Sequence, residues 1–292
     1  DRSQGVAAIM SELSITSVLG SSMPRIKVVA VGAASTGAPE VYTKLLLQGY
    51  AELVAFEPNQ EECKRLNERS LNEPTTFGKS TYLPFAVGDG SEATLYITNY
   101  GFTSSLFEPN HQLLTQFHDL DDLYQVISKQ KVNTVRLDDL KEISDADWLV
   151  MDTQGSELNI IKGAKHLLDE SIIVVQTEVL FIPHYVGQPL FSDIDIALRE
   201  HDFYIHSMFG VSCPIMKSFP KSLTSQRGQA SWTDFIYVKN FLQLEKLSPR
   251  KRLALAVILH EVYGSYDLCS HVLKTHDQIE GTCFYDIYIS KL

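Results

Sequence analysis

The stretch Asp147–Leu168, DWLVMDTQGSELNIIKGAKHLL, decides how this chain is to be read. An apolar run, DWLV, stops on the carboxylate of Asp152. A turn carrying Gly155 follows, and then a segment in which Leu158, Ile161 and Leu168 fall on roughly one face of a helix. A carboxylate at the C-terminal end of a strand is poorly placed for packing and well placed to meet a ligand. The pattern is strand, acidic turn, helix.

The same unit recurs on either side. RIKVVAVGAASTGAPEVYTKLLLQG (Arg25–Gly49) reads as strand, glycine-containing turn and helix. AELVAFEPNQEECKRLNE (Ala51–Glu68) reads as strand, acidic end and helix, with Pro58 and Asn59 starting the helix. STYLPFAV leads through GDG into the alternating ATLYITN, which predicts a hairpin. NTVRLDDL is a further strand ending in acids, and SIIVVQTEVLF is a β-branched strand carrying Glu178. SDIDIALREHDF predicts a helix and WTDFIYVKNF a late antiparallel strand. Strands that alternate with helices, several of them continuously apolar, predict an α/β fold with a doubly wound, mostly parallel sheet.

Residues 1–24 read as a helical lead-in, 25–240 as the α/β domain and 241–292 as a C-terminal helical extension. In the extension, Ser248 is a cap, Pro249 takes the first helical position and Gly264 is a stop, which predicts a helical pair. LALAVILHEVYG is apolar nearly all round and must be buried, either against the domain or in a contact between copies of the chain.

Composition narrows the function. With 44% hydrophobic and 21% charged residues the chain is ordinary globular material. No apolar run approaches the roughly 18 residues needed to span a bilayer, so no membrane partner is expected. DRSQGVAAIMSELS lacks a basic segment followed by an apolar one, so no secretory signal is expected; its initial Asp suits a trimmed chain or one cut from a larger biosynthetic protein. The net charge of −11, with SPRKR (Ser248–Arg252) as the one basic cluster, argues against a nucleic-acid partner. Cys63, Cys213, Cys269 and Cys283 show no metal-ligand spacing and read as reduced thiols of a cytoplasmic protein.

Ligands of open α/β sheets bind beyond the C-terminal ends of the strands. There Gly32 and Gly37 follow the first strand, Glu57 ends the second at the place for ribose hydroxyls, Asp89 lies beyond the third, and Asp152 ends the DWLVM strand. Together they describe an adenosine-containing ligand. The turn lacks a full G-x-G-x-x-G cradle and a P-loop Lys, and acids repel phosphates. They suit a sulfonium and an ammonium, and S-adenosylmethionine (SAM) carries both.

AFEPN (Ala55–Asn59), VRLDDL (Val135–Leu140), MDTQGSELNIIKGA (Met151–Ala164), TEVLF (Thr177–Phe181) and HYVGQPLFSDID (His184–Asp195) together resemble the FkbM-type methyltransferases, as does GFTSSLFEPN (Gly101–Asn110). The resemblance runs from about Lys27 to Lys239. It implies a Rossmann-like class I methyltransferase fold and SAM-dependent methylation of a hydroxyl on a sugar, glycan or polyketide-type small molecule. The first turn departs from the family pattern, with Ala30 in place of an acid, Ala34 in place of Asn and Gly37 one residue late; Val150 stands where a Lys is frequent. A non-catalytic binding or scaffold module with a degenerate cofactor turn is the alternative.

The candidate cofactor residues are Gly32, Ala33, Gly37, Glu57, Pro58, Asn59, Ala86, Val87, Asp89, Asp152, Thr153 and Gln154. Asp152 and His184 are the candidate catalytic pair, His184 for its loop position after the Glu178 strand. Ser104, Ser105, Glu178 and Tyr185 are the candidate acceptor contacts. Two carboxylates, Asp152 and Glu178, are too few to favour a divalent cation.

Overall fold

The structure is a computed structural model that describes residues 14–32, 40–74, 78–223 and 228–292. Two candidate cofactor residues, Ala33 and Gly37, lie outside the described residues, as do Ala34 and the first half of the lead-in.

Seven strands form the main sheet: β1 (Ile26–Val31), β2 (Ala51–Phe56), β3 (Ser80–Leu83), β7 (Trp148–Met151), β8 (Val174–Leu180), β9 (Phe203–Met208) and β10 (Trp232–Lys239), in the spatial order β3-β2-β1-β7-β8-β10-β9. β1 pairs in parallel with both β2 and β7, β2 with β3, and β7 with β8. β10 is antiparallel to β8 and to β9. The fold is therefore mixed α/β with a mostly parallel sheet. The chain winds outward from β1 to β3, then returns to lay β7 on the other edge of β1. That reversal opens a crevice at the C-terminal ends of β1 and β7.

Strand alternation assigns the two faces. Val29 and Val31 of β1, Leu149 and Met151 of β7, and Phe235 and Tyr237 of β10 share one core with Ile160, Ile161, Leu167 and Leu168. The helices on this face are α3 (Glu157–Lys162), α4 (Lys165–Glu170) and α5 (Phe191–Arg199). Val28, Ala30, Trp148, Ile236 and Val238 point the other way. They meet α1 (Thr43–Leu47) and three C-terminal helices, α6 (Pro249–Glu261), α7 (Tyr266–Glu280) and α8 (Phe284–Lys291). Every residue from Leu253 to Leu259 is buried. That resolves the alternative left open by the apolar α6: it is packed on its own domain.

Four sequence expectations change. The C-terminal pair is three helices. The helix expected after Gly155 is two short ones that part at Gly163, where a Cβ would lie 2.1 Å from Gly88 O, so only glycine fits the junction. STYLPFAV splits at Pro84, its end forming β4 (Ala86–Val87) of a second sheet. ATLYITN, within β5 (Glu92–Thr98), pairs antiparallel with β6 (Val126–Val135) instead of turning back on its predecessor, and β4 runs parallel to the end of β6. This β4-β6-β5 sheet stands beside the mouth of the crevice. No helix among the described residues is long and apolar enough to cross a membrane.

Candidate active site

A cavity of about 460 Å³ opens where β1, β2 and β7 end. Its floor is backbone brought unusually close. Gly32 has φ +84°, and a Cβ there would sit 1.7 Å from Asp152 O, so only glycine lets the ends of β1 and β7 meet. Glu57 follows β2, and its Oε1 accepts the Asn59 N–H at 2.8 Å. Asn59 in turn caps α2 (Gln60–Asn72), its Oδ1 accepting from Glu62 N at 3.0 Å. The EPN triplet thus holds one carboxylate oxygen of Glu57 in place where the residue lines the cavity. Burial raises the Glu57 pKa in spite of that hydrogen bond.

Phe56, Pro58, Phe85, Ala86, Val87, Leu95 and Ile97 form an apolar wall, much of it from β4 and β5. Glu40, Ser104, Ser105, Asp152, Thr153 and Gln154 supply the polar side. Ala30 and Val150, where the first turn and the β7 strand depart from the family pattern, also line the cavity.

The acidic side continues past the cavity rim across three adjacent strands. Asp152 ends β7, Glu178 lies in β8, and Asp234 of β10 stands directly opposite Glu178 in the register. Glu178 and Asp234 fall on the face of Gln176 and Ile236, toward the C-terminal helices. Like charges so placed repel. Gln154 intervenes, its Nε2 donating to Asp152 Oδ1 at 2.8 Å and to Glu178 Oε2 at 2.9 Å. The single proton of the Tyr185 hydroxyl is shared between Thr103 O at 2.9 Å and Gln154 Oε1 at 3.1 Å, and Ser105 Oγ donates to Gln154 O at 2.6 Å.

Burial raises Asp152, which opens into the cavity yet is enclosed on most sides, while the Gln154 amide opposes the shift. Glu178 is held well above the usual carboxylate range by burial first and then by Asp152, Glu157 and Asp234. Asp234 is pushed up to about 6 by burial and by Asp152. Among the described residues no Lys, Arg or His forms an ion pair with Glu40, Glu57, Asp152, Glu178 or Asp234. Glu157 serves the backbone instead. Its Oε1 accepts Thr153 N at 2.8 Å and Thr153 Oγ1 at 3.0 Å, tying down the turn after Asp152.

The structure brings most of the candidate residues together. Gly32, Glu57, Pro58, Ala86, Val87, Asp152, Thr153, Gln154, Ser104 and Ser105 line the cavity. Asn59 supports Glu57 from behind, and Glu178 and Tyr185 reach the site through Gln154. Two residues are placed elsewhere. Asp89 is exposed in its own turn, accepting from Ser91 N at 3.0 Å. His184 is 1% exposed, with Nδ1 against Tyr124 Oη at 2.9 Å and Nε2 against Ser231 Oγ at 2.6 Å. Burial pushes its pKa down to about 4, so the imidazole is a neutral core group at physiological pH. Sequence reading passed over Glu40 and Asp234. Asp234 did leave a signal: Trp232, Asp234, Ile236 and Val238 alternate onto one face, and an acid among them is out of place for packing.

The family model for the Methyltransferase FkbM domain matches residues 31–205. The chain belongs to this family. The match to the FkbM domain ends within β9, so Asp234 and the three C-terminal helices lie beyond it. Solved structures similar to this FkbM-domain chain include a methyltransferase FkbM from Methylobacillus flagellatus KT, at 13% identity and a TM-score of 0.38, covering 78% of this chain and 48% of that one. The magnesium protoporphyrin IX methyltransferase ChlM from Synechocystis PCC 6803, with bound SAM, is similar at 11% identity and a TM-score of 0.36, covering 81% and 78%. A putative tRNA (m1A22) methyltransferase from Streptococcus pneumoniae is similar at 11% identity and a TM-score of 0.36, covering 93% and 97%. No curated protein matches the chain. Among the described residues, no group of three or more His, Cys, Asp or Glu side chains is disposed to hold a metal ion.

Proposed function

We propose that this FkbM-family chain is a SAM-dependent O-methyltransferase acting on a hydroxyl of a sugar, glycan or polyketide-type small molecule. The observation that carries the reading is the lining of the cavity: an apolar wall facing Glu40, Glu57 and Asp152, with no Lys or Arg among the described lining residues. A site built of unpaired carboxylates raises the affinity of cations and repels phosphates. That favours a cationic sulfonium ligand over the pyrophosphate of NAD.

The residues present fit such a cofactor. Glu57 is placed to accept from ribose hydroxyls, the wall of Phe56, Pro58, Phe85, Ala86 and Val87 offers a surface for a flat heterocycle, and Asp152 meets the cationic end. SAM, when bound, supplies a methyl group on a sulfonium that a nucleophile can take directly. What the chain adds is alignment of the acceptor oxygen, exclusion of water and removal of the hydroxyl proton. Asp152 is the residue for the proton. It faces the cavity, and its raised pKa brings a carboxylate nearer the operating pH, where a general base contributes roughly 10²–10⁴-fold. His184 is given no such role, since both its ring nitrogens are engaged inside the core. Ser104 is the serine left for the acceptor, since Ser105 is buried with its Oγ donating to Gln154 O and accepting from Phe107 N.

The test is calorimetric titration of the full chain with SAM, S-adenosylhomocysteine and NAD. Saturable binding of the first two and none of the third is the expected result, with Glu57→Ala weakening both by about 10- to 100-fold, the worth of a hydrogen bond to a charged group. Wild-type chain that binds none of the three overturns the reading and puts a non-catalytic FkbM-like binding module in its place. Binding of SAM would be followed by a screen of glycosides and polyols as methyl acceptors.

A further inference from the structure

Gln154 holds a left-handed backbone conformation, φ +56°, immediately before Gly155 at φ +100°. A glutamine is an unfavourable choice there, since a side chain crowds the following carbonyl and glycine would meet the same geometry without strain. The backbone gives no reason for the residue, so the reason lies in the side chain. Both polar ends of that side chain are engaged. Nε2 donates to Asp152 Oδ1 and Glu178 Oε2, and Oε1 accepts from the Tyr185 hydroxyl. This orientation gives the amide NH2 to both acidic side chains, whereas the reversed one would set Oε1 against whichever carboxylate is ionised.

We propose that Gln154 is a positioning residue whose amide clasps Asp152 and Glu178 into one two-carboxylate unit at the methyl-transfer centre, with Tyr185 fixing the direction of the amide. The use of this unit rests on the methyltransferase reading above. Without the clasp, Asp152 and Glu178 would turn from each other or share a proton, and Asp152 would lose its standing as a base. With it, each carboxylate is held by a donor on one oxygen, and Asp152, which lines the cavity, keeps the other for substrate. The neighbouring groups all press the same way. Glu157 at the start of α3, Asp234 on β10 and Glu40 ahead of α1 add negative charge, and Tyr124 and Tyr185 are un-ionised phenols behind Glu178. Gln154 is thus the group that opposes the mutual repulsion of the pair.

The test compares wild type with Gln154→Gly. This variant keeps the backbone carbonyl that Ser105 bonds, relieves the left-handed strain and removes the amide together with its two methylenes. The side-chain carboxyl carbons of Asp152 and Glu178 are followed by 13C NMR titration of the full chain labelled in Asp and Glu, assigned with Asp152→Asn and Glu178→Gln. Hydrogen bonds to the ionised carboxylates lower their titration midpoints, so the expected result is an upward move of the pair's apparent midpoints by on the order of one pH unit. Tyr185→Phe, with the amide still present but no longer oriented, should move them the same way by less. Unchanged midpoints in Gln154→Gly would overturn the proposal. No cofactor is present in this titration, so a failure of SAM to bind wild type in calorimetry would sink the functional reading and leave the clasp to be decided by the midpoints.

Discussion

His184 shows how far a single residue can depart from its sequence context. FIPHYVGQ reads as an exposed loop, yet the ring is enclosed by Tyr124, Trp232 and Ser231. Its partners lie 60 and 47 residues away in the chain, so no local pattern could announce its burial. A pH dependence follows. Above the ordinary histidine value of 6.5 both folded and unfolded chains keep the ring neutral, and its contribution is intact. As pH falls through 6.5 the unfolded chain takes the proton first, and stability is lost until the folded ring also titrates, near 4. The loss over that window is about 3 kcal/mol. Urea unfolding of wild type and His184→Gln at pH 7.5 and 4.5 checks this: the advantage of wild type should shrink in acid, and an equal gap at both pH values would refute the buried neutral ring. Glu57 and Asp152, by contrast, were legible in the sequence. A carboxylate that ends an apolar strand has few structural uses, and the parallel sheet puts all such ends on one edge.

At the scale of elements, periodicity worked where one face of a segment is buried and failed where it is not. β1, β2, β7 and β8 are apolar runs that could be read directly. β6 is exposed over most of its length, so VISKQKV carries no alternation to read. Its pairing with β5 replaces the expected hairpin. The anchoring of α6 is a second matter that only the fold reveals. Asp147, at the start of the DWLVM run, is fully buried; its carboxylate accepts from Lys27 N at 2.9 Å and takes both Arg250 guanidinium nitrogens at 2.7 Å. Lys251 Nζ is also within 2.7 Å. Two of the three bases of SPRKR, Arg250 and Lys251, are therefore spent on Asp147 just ahead of β7, at the end of the sheet opposite the cavity, and Arg252 pairs with Glu280. Asp147→Ala leaves Lys251 without its counter-charge and should cost about 3 kcal/mol, the range for breaking a buried pair from one side. Chemical denaturation would show it, and a loss under about 0.5 kcal/mol, the scale of an ordinary surface change, would contradict the assignment.

At the scale of the molecule, the C-terminal helices complete the domain. The face of Val28, Ala30, Trp148, Ile236 and Val238 has α1 and α6–α8 as its cover, and the buried residues of α6, α7 and α8 belong to the same core as β1 and β2. Removing residues 241–292 should abolish cooperative unfolding and bring the chain down as aggregate, whereas a stable, soluble fragment 1–240 would show the extension to be an accessory. Tyr263, just past α6, donates to Gln176 Oε1 at 2.9 Å, so the extension also reaches the strand that carries Glu178. The sequence by itself determined the α/β class, the strand-end carboxylates and the family resemblance, because each follows from local chemistry: apolar runs, turn residues and short motifs. Only the tertiary structure decided that α6 closes its own sheet, that His184 belongs to the core, and that Asp152, Glu178 and Asp234 form one row with Gln154 between the first two. Those outcomes depend on strand order and register, which bring together residues more than eighty positions apart, and no local pattern encodes which distant neighbour a side chain will meet.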